Sequence, residues 1–366
     1  MIPVPYYTTV YYICISIITL ILCLRIFTKS NENIEDASKN KVWCLLLLLV
    51  TILFIGLRDP WGAFEYFGDT RAYSRAFENI HLINVWEESR DIGFSLLMQF
   101  SASFMNVSMF HLLCAFLYVF PVYVTFKKWF ANLAIYALLI YVVSMSFWAF
   151  GINGVRTGLA VSFFIFAIGN VNRKWLMLLF MVLSVSMHKS LLLPIVVFFA
   201  SFFIKNIKWS IAIWIASIAV CFLAGNVMLN LIEQYLPNII EDDRASAFTM
   251  MDRVGDEIVD NIRFRFDFIL YSAVPVFLGW YYIVRKKYND KFYARLFNTY
   301  VLTNAVWIMF FMYAPYTNRY AYLSWCIMPI VMIYPLLKEN IIKNQYRFIG
   351  YLVLGSLMFT LLMFFR

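Results

Sequence analysis

KNKVWCLLLLLVTILFIGLRDP, residues 39–60, decides the fold of this chain. Lys39 and Lys41 stand at one end of an uncharged apolar run, and Arg58-Asp59 stand at the other. A helix that crosses a bilayer needs about 20 mostly apolar residues. The run 42–57 with its flanks reads as such a crossing, with Lys on one side and Arg on the other. The same asymmetry repeats along the whole chain. Of the 30 basic residues, 18 fall in alternate connections between apolar segments, and 13 of these are Lys. The other 12 fall in the opposite connections or at the C-terminus, and 11 of them are Arg, Lys189 being the exception.

Composition supports a membrane reading. The chain has 366 residues, of which 63% are hydrophobic and only 14% charged, with a mean hydropathy of +0.74. A soluble domain cannot hide that much apolar surface. The net charge of +9 reads as loop bias across a bilayer. No basic stripe with stacking aromatics points to nucleic acid. The six cysteines (Cys14, Cys23, Cys44, Cys114, Cys221, Cys326) lie in apolar segments with no CxxC pair. They suggest neither a zinc site nor a disulfide framework. The N-terminus, MIPVPYYTTVYYICISIITLILCL, lacks a basic n-region and reads as a retained first span.

The expected spans are roughly 5–26, 42–57, 108–126, 131–149, 155–171, 175–188, 190–204, 208–224, 266–284, 296–313, 320–336 and 346–365, about twelve crossings. Lys-bearing connections at every second position go to the cytoplasm by the charge rule. Both termini then lie outside, provided that 92–106 does not cross. That segment is expected to be a re-entrant or interfacial helix. The fold expected is an all-α integral membrane protein with 1–366 as a single polytopic domain. Its two long outer loops are 58–91 and 225–265.

Five stretches carry polar chemistry. In GLRDPWGAFEYFGDTRAYSRAF, 56–77, Pro60 and Gly62 break the helix. Asp69-Thr70 reads as the N-terminus of a new one. In that helix Asp69, Tyr73 and Phe77 share one face, and Arg71 and Arg75 share another. It is either a capped, solvated amphipathic helix or part of a site. In GINGVRTGLA, 151–160, Arg156 follows a break marked by Gly151, Asn153 and Gly154 at the outer start of a span. It either snorkels to the headgroups or lines a cavity. In SVSMHKSLLLP, 184–194, His188 is either a hairpin tip or a base. His81 and His111 have no supporting pattern. In APYTNRYAYLSW, 314–325, Arg319 sits among Tyr316, Tyr320 and Tyr322, suited either to phosphate and sugar contact or to headgroup anchoring. In the large loop, Arg263 and Arg265 lie nearest the next span, while Arg244 and Arg253 mingle with acids that solvate it. Arg makes bidentate contacts to phosphate where Lys is a hydrated point charge. Arg58, Arg156 and Arg319 at one expected membrane face therefore suggest a lipid-linked phosphate or pyrophosphate.

These residues resemble the EpsG-like family. The pattern R-D-x-x-G-x-D-T-x-x-Y-x-x-F is similar to Arg58-Asp59, Asp69-Thr70, Tyr73 and Phe77, with a longer insertion before Asp69. N-G-x-R-x-x-L-A at Arg156, H-K-S at His188-Lys189-Ser190 and N-R-Y at Arg319-Tyr320 follow in the family's order. The large loop 225–265 matches no part of that pattern. The resemblance implies a Wzy-type polysaccharide polymerase of GT-C-like layout in the bacterial plasma (inner) membrane. Donor and acceptor would be oligosaccharides on undecaprenyl pyrophosphate. The growing glycan would move onto the non-reducing end of a new unit on the periplasmic or exterior face.

In the mechanism expected from this reading, Arg58, Arg156 and Arg319 stabilise the leaving pyrophosphate, with Arg263 or Arg265 assisting. Asp69 is the first choice of base and His188 the second. Tyr73 and Tyr320 orient sugar or phosphate. No metal and no cofactor is required, and a chain-length regulator is a candidate partner protein. The alternatives are an O-antigen-type ligase, with the same pocket logic, or a flippase for the lipid-linked unit. A flippase needs cationic groups reachable from both sides in turn.

Overall fold

The structure is a computed structural model that describes residues 2–89, 91–239, 264–314 and 317–365. It is 82% helix, with no strand among the described residues. Seven helices are long and apolar enough to cross a membrane: Val4–Thr28, Ala37–Gly56, Val107–Val142, Ile207–Gly225, Phe266–Arg285, Thr317–Lys338 and Gln345–Phe364. The expected crossings 155–171, 175–188 and 190–204 appear as shorter apolar helices, Val155–Gly169, Lys174–Met187 and Lys189–Ala200. Expected crossings 108–126 and 131–149 fall mostly within the one element Val107–Val142. The backbone nevertheless turns sharply inside it, at Ala131 with φ 49°. The segment expected to be re-entrant or interfacial holds Ile92–Ala102, 11 residues, about half the length of a crossing.

The chain divides into two compact units, Met1–Leu192 with Ile333–Arg366, and Leu193–Met332. In the first, we number α1 as Val4–Thr28, α2 as Ala37–Gly56, α3 as Thr70–Glu78, α4 as Ile92–Ala102, α5 as Val107–Phe130, α6 as Ala134–Val142, α7 as Met145–Ile152, α8 as Val155–Gly169 and α9 as Lys174–Met187. Helix α8 is buried almost all round, as expected of a helix whose whole surface is apolar. It packs between α5 and α9. Small hydroxyls tie these neighbours to backbone: Ser162 donates to the Leu117 carbonyl (3.0 Å) and Ser184 to the Ala160 carbonyl (2.6 Å). Such bonds join helices where the hydrophobic effect cannot. Helices α1 and α2 leave Ile13, Ile17, Leu20, Leu24, Leu45 and Leu49 exposed, an apolar surface suited to lipid.

The break at 151–154 predicted by Gly151, Asn153 and Gly154 is present. Helix α7 ends at Ile152 and α8 begins at Val155. Gly158 lets the two cross closely, since a Cβ there would lie 2.8 Å from the Phe150 carbonyl oxygen. Asp69 stands at the N-cap of α3 as expected, although its side chain does not cap. Tyr73 and Phe77 are buried while Arg71 and Arg75 are exposed, so α3 is amphipathic as its spacing predicts.

The second unit is built on Lys291–Phe311, packed against the Ile207–Ile239 helix and Thr317–Trp325. The Ile207–Ile239 helix departs from helical geometry at Ala224. Asn304 is a polar hub: its amide donates to Ser272 Oγ (3.1 Å) and Ser324 Oγ (2.9 Å), and its Oδ1 accepts from Trp214 Nε1 (2.7 Å).

Candidate functional site

Two polar clusters stand in the first unit. The first begins with Arg58, just past the end of α2 and 2% exposed. Its Nε donates to Thr70 Oγ1 (2.8 Å), its Nη1 to the Ile55 carbonyl, and its Nη2 to His111 Nδ1 (3.2 Å). These three partners carry no charge when His111 is neutral, and the geometry requires that form. A guanidinium only donates, so Nδ1 accepts and the proton sits on Nε2. That Nε2–H donates to Ser74 Oγ (3.0 Å), whose own hydroxyl donates to the Pro60 carbonyl (2.6 Å). Burial pulls Arg58 down to about 10, so it remains a cation at neutral pH.

From Arg58 the network runs on to α7. The Thr70 hydroxyl donates to the Ile152 carbonyl (2.9 Å), and the Asp69 N–H donates to Asn153 Oδ1 (3.1 Å). Gly68 makes that docking possible. It has φ +52°, and a Cβ would sit 2.5 Å from the Asn153 amide. Arg58, Asp69-Thr70 and Asn153 are thus joined in one scaffold, buried at Arg58 and Thr70 and half-buried at Asp69 and Asn153. Arg58 faces protein acceptors in it, as an internal brace.

The second cluster centres on Asp91, just before α4. Its Oδ2 accepts from Arg156 Nη1 (2.8 Å) and His188 Nδ1 (3.1 Å), and its Oδ1 accepts from the Lys189 N–H (3.3 Å). The Asp91 and His188 side chains are 6% and 9% exposed, whereas that of Arg156 is 38% exposed. Burial alone would raise the Asp91 carboxyl. The His188 hydrogen bond, the charges of His188 and Arg156, and the Lys189 N–H outweigh it and hold the group below the usual carboxylate range. An ionised carboxylate only accepts, so His188 carries a proton on Nδ1, and Nε2 is the basic nitrogen of its neutral ring. Tyr73 lies 5.7 Å below the Arg156 guanidinium and meets Phe94 edge-on at 5.7 Å. Helices α4 and α9 approach closely beside the cluster, since a Cβ on Gly93 would fall 2.8 Å from the Ser186 Cβ.

The expected site residues therefore separate. Arg156, His188 and Tyr73 come together around Asp91, while Arg58 and the Asp69 backbone belong to the scaffold. Arg265, Arg319 and Tyr320 lie in the second unit. There Arg265 forks onto Asp267 (2.9 and 2.7 Å) and its Cζ lies 3.7 Å over the Phe268 ring. Tyr320 stacks on Phe311 at 4.3 Å. Arg319 is half-buried near the start of Thr317–Trp325. Arg90, Arg244, Arg253, Arg263, Tyr316 and Arg366 lie outside the described residues. Among the described residues no three of His, Cys, Asp and Glu form a group that could hold a metal ion.

Sequence reasoning missed Asp91 and His111. Asp91 sits in WEESRDIG, 86–93, where nothing in the sequence sets it apart from the charged residues beside it. His111 did carry a signal, since an ionisable residue inside an apolar span is costly and calls for a partner.

With this geometry in place, the comparisons are specific. The family model described as EpsG family matches residues 41–366. The chain belongs to the EpsG family, the family of Wzy-like polysaccharide polymerases. No curated protein and no solved structure matches it.

Proposed function

We propose that this EpsG-family chain, a multi-pass membrane protein, polymerises oligosaccharide repeat units carried on undecaprenyl pyrophosphate. The reaction takes place at the outer face of the bacterial plasma membrane. The observation that carries the reading is the convergence of Arg156 and His188 on Asp91. It sets a half-exposed cation and an imidazole side by side in an apolar protein.

Glycosyl transfer needs both groups. His188 Nε2 takes the proton of the acceptor hydroxyl, whose oxygen bonds to the anomeric carbon of the donor. The bond from that carbon to the pyrophosphate oxygen breaks, and the electron pair leaves with the lipid pyrophosphate. Arg156 stabilises the negative charge that develops there. We assign the base to His188 in preference to Asp69 because His188 has a carboxylate partner that selects its tautomer. Asp69 remains the second candidate. Arg58 supports the site through the scaffold, and Tyr73 supports Arg156 from below. In the second unit, Arg319, Arg265 and Tyr320 remain candidates for anion and sugar contact, as does Arg263.

The scheme uses arginine in place of a metal. It goes with a GT-C-like arrangement of about twelve crossings, both termini outside, and a chain-length regulator as candidate partner. Ligase chemistry would use the same groups, so the test is made on the glycan. A deletion strain should display lipid capped with a single repeat unit on its outer surface instead of a polymer ladder. An unchanged ladder overturns the proposal, and repeat units trapped on the inner face assign the chain to transport.

A further inference from the structure

We infer that Asp91 is a positioning residue for this transfer, holding the proton acceptor and the anion-binding guanidinium in fixed register through a single carboxylate oxygen. The inference rests on the reading that His188 takes the proton, and it adds a residue that belongs to none of the motifs carrying the family resemblance.

Asp91 is buried at the start of α4, yet its three partners come from elsewhere. Arg156 is on the first turn of α8, and His188 and Lys189 follow the end of α9. One oxygen, Oδ2, receives both Arg156 Nη1 and His188 Nδ1. Those two nitrogens can therefore be no further apart than the two bond lengths together. The Lys189 N–H on Oδ1 stops the carboxylate from rotating. With Nδ1–H committed to Asp91, the ring can pivot little, and its basic edge is set relative to the guanidinium. A hydrogen-bonded carboxylate also stabilises the imidazolium that forms when the base takes its proton, as in other carboxylate–histidine pairs.

Several described ionisable groups lie on the elements packed around this pair. On α3, Arg71, Arg75 and Glu78 are exposed, and Tyr73 lies under Arg156. His111 of α5 is committed to Arg58 and Ser74. His81 and Glu87, on the short turns before α4, and the Lys189 side chain are exposed. The negative charge of Asp91 favours the imidazolium form of His188, against the Arg156 cation on the same oxygen.

The experiment is a pH profile of turnover. It uses purified full-length protein in nanodiscs with the lipid-pyrophosphate-linked repeat unit extracted from the deletion strain. Asp91→Asn keeps an acceptor but loses the charge. It should lower kcat about 100-fold and move the acid limb of the kcat profile to lower pH. Asp91→Glu should keep the acid limb where the wild type has it, with a smaller loss of kcat. In a His188→Ala background, Asp91→Asn should cost less than it does alone, since only the contact to Arg156 remains to be lost. Three results overturn the inference: wild-type turnover in Asp91→Asn, a loss of turnover in Asp91→Asn with the acid limb unmoved, or fully multiplicative losses in the double variant. A fully active His188→Ala instead overturns the assignment of the base, which separates the two failures. If Asp91→Asn does not reach the membrane, the Asp91→Glu profile decides: an acid limb displaced from the wild type is then the overturning result.

Discussion

Arg58 and His111 stand 53 positions apart in the chain, and the guanidinium donates to the imidazole Nδ1 across 3.2 Å of buried interior. The contact makes His111 a neutral acceptor and leaves its Nε2–H for Ser74. It turns a motif arginine into a brace between α2, α3 and α5.

A brace should be read out as stability. Thr70→Val keeps the shape but removes the hydroxyl between Arg58 and Ile152. It leaves a buried charged donor short of an acceptor, which costs about 1–3 kcal/mol. The expected result is a lower melting temperature in detergent. Unchanged melting would return Arg58 to the candidates for direct substrate contact.

Gly68→Ala should be damaging for a different reason. Its φ of +52° disfavours an L side chain, and the new Cβ would collide with Asn153. Backbone strain of this kind costs roughly 1–3 kcal/mol. Melting should fall and polymer output with it. An Ala variant that melts and polymerises normally would show that the 68–70 turn does not position the site.

Acid should weaken the Asp91 cluster. The folded carboxyl is held below its ordinary value, so the folded state is favoured while the group is ionised. That contribution is complete above about pH 4 and is lost as pH falls through the lowered value. The melting temperature of the wild type should drop more steeply than that of Asp91→Asn as pH falls below about 4. Parallel curves would mean that the ion pairs add no net stability.

Arg156→Ala should abolish long glycan with protein still in the membrane. Arg156→Lys should rescue it poorly, since Lys lacks the planar fork. Normal polymer in Arg156→Ala would leave Arg156 as a headgroup anchor.

Turnover of the purified protein should persist in EDTA. Activity lost there and restored by a divalent ion would sink the arginine-only scheme. The scheme also predicts that Arg319→Ala depletes polymer; a normal ladder would place Arg319 in the aromatic belt.

Much of the fold was legible in advance. Apolar length marked the membrane segments, Gly151, Asn153 and Gly154 marked the α7–α8 break, and the spacing of Tyr73 and Phe77 marked the buried face of α3. The expected crossings 155–171, 175–188 and 190–204 lie on separate short helices, since Asn153-Gly154, the 170–173 turn and His188-Lys189 interrupt the apolar sequence. The site was legible in part. Arg156 and His188 were marked by their place at expected span mouths and by the family pattern. Arg58 was marked too, but its burial was not, because a basic residue beside a span looks the same whether it faces a ligand or a histidine.

The sequence by itself determined the membrane character, the helical class and the family, because these follow from local hydropathy, periodicity and short motifs. Only the tertiary structure decided what each polar group does. Whether Asp91 solvates a loop or binds Arg156 and His188 depends on residues 65 and 97 positions away. The pairing arises when α4, α8 and α9 pack, and burial then makes an ionised carboxylate seek partners that spacing along the chain cannot announce.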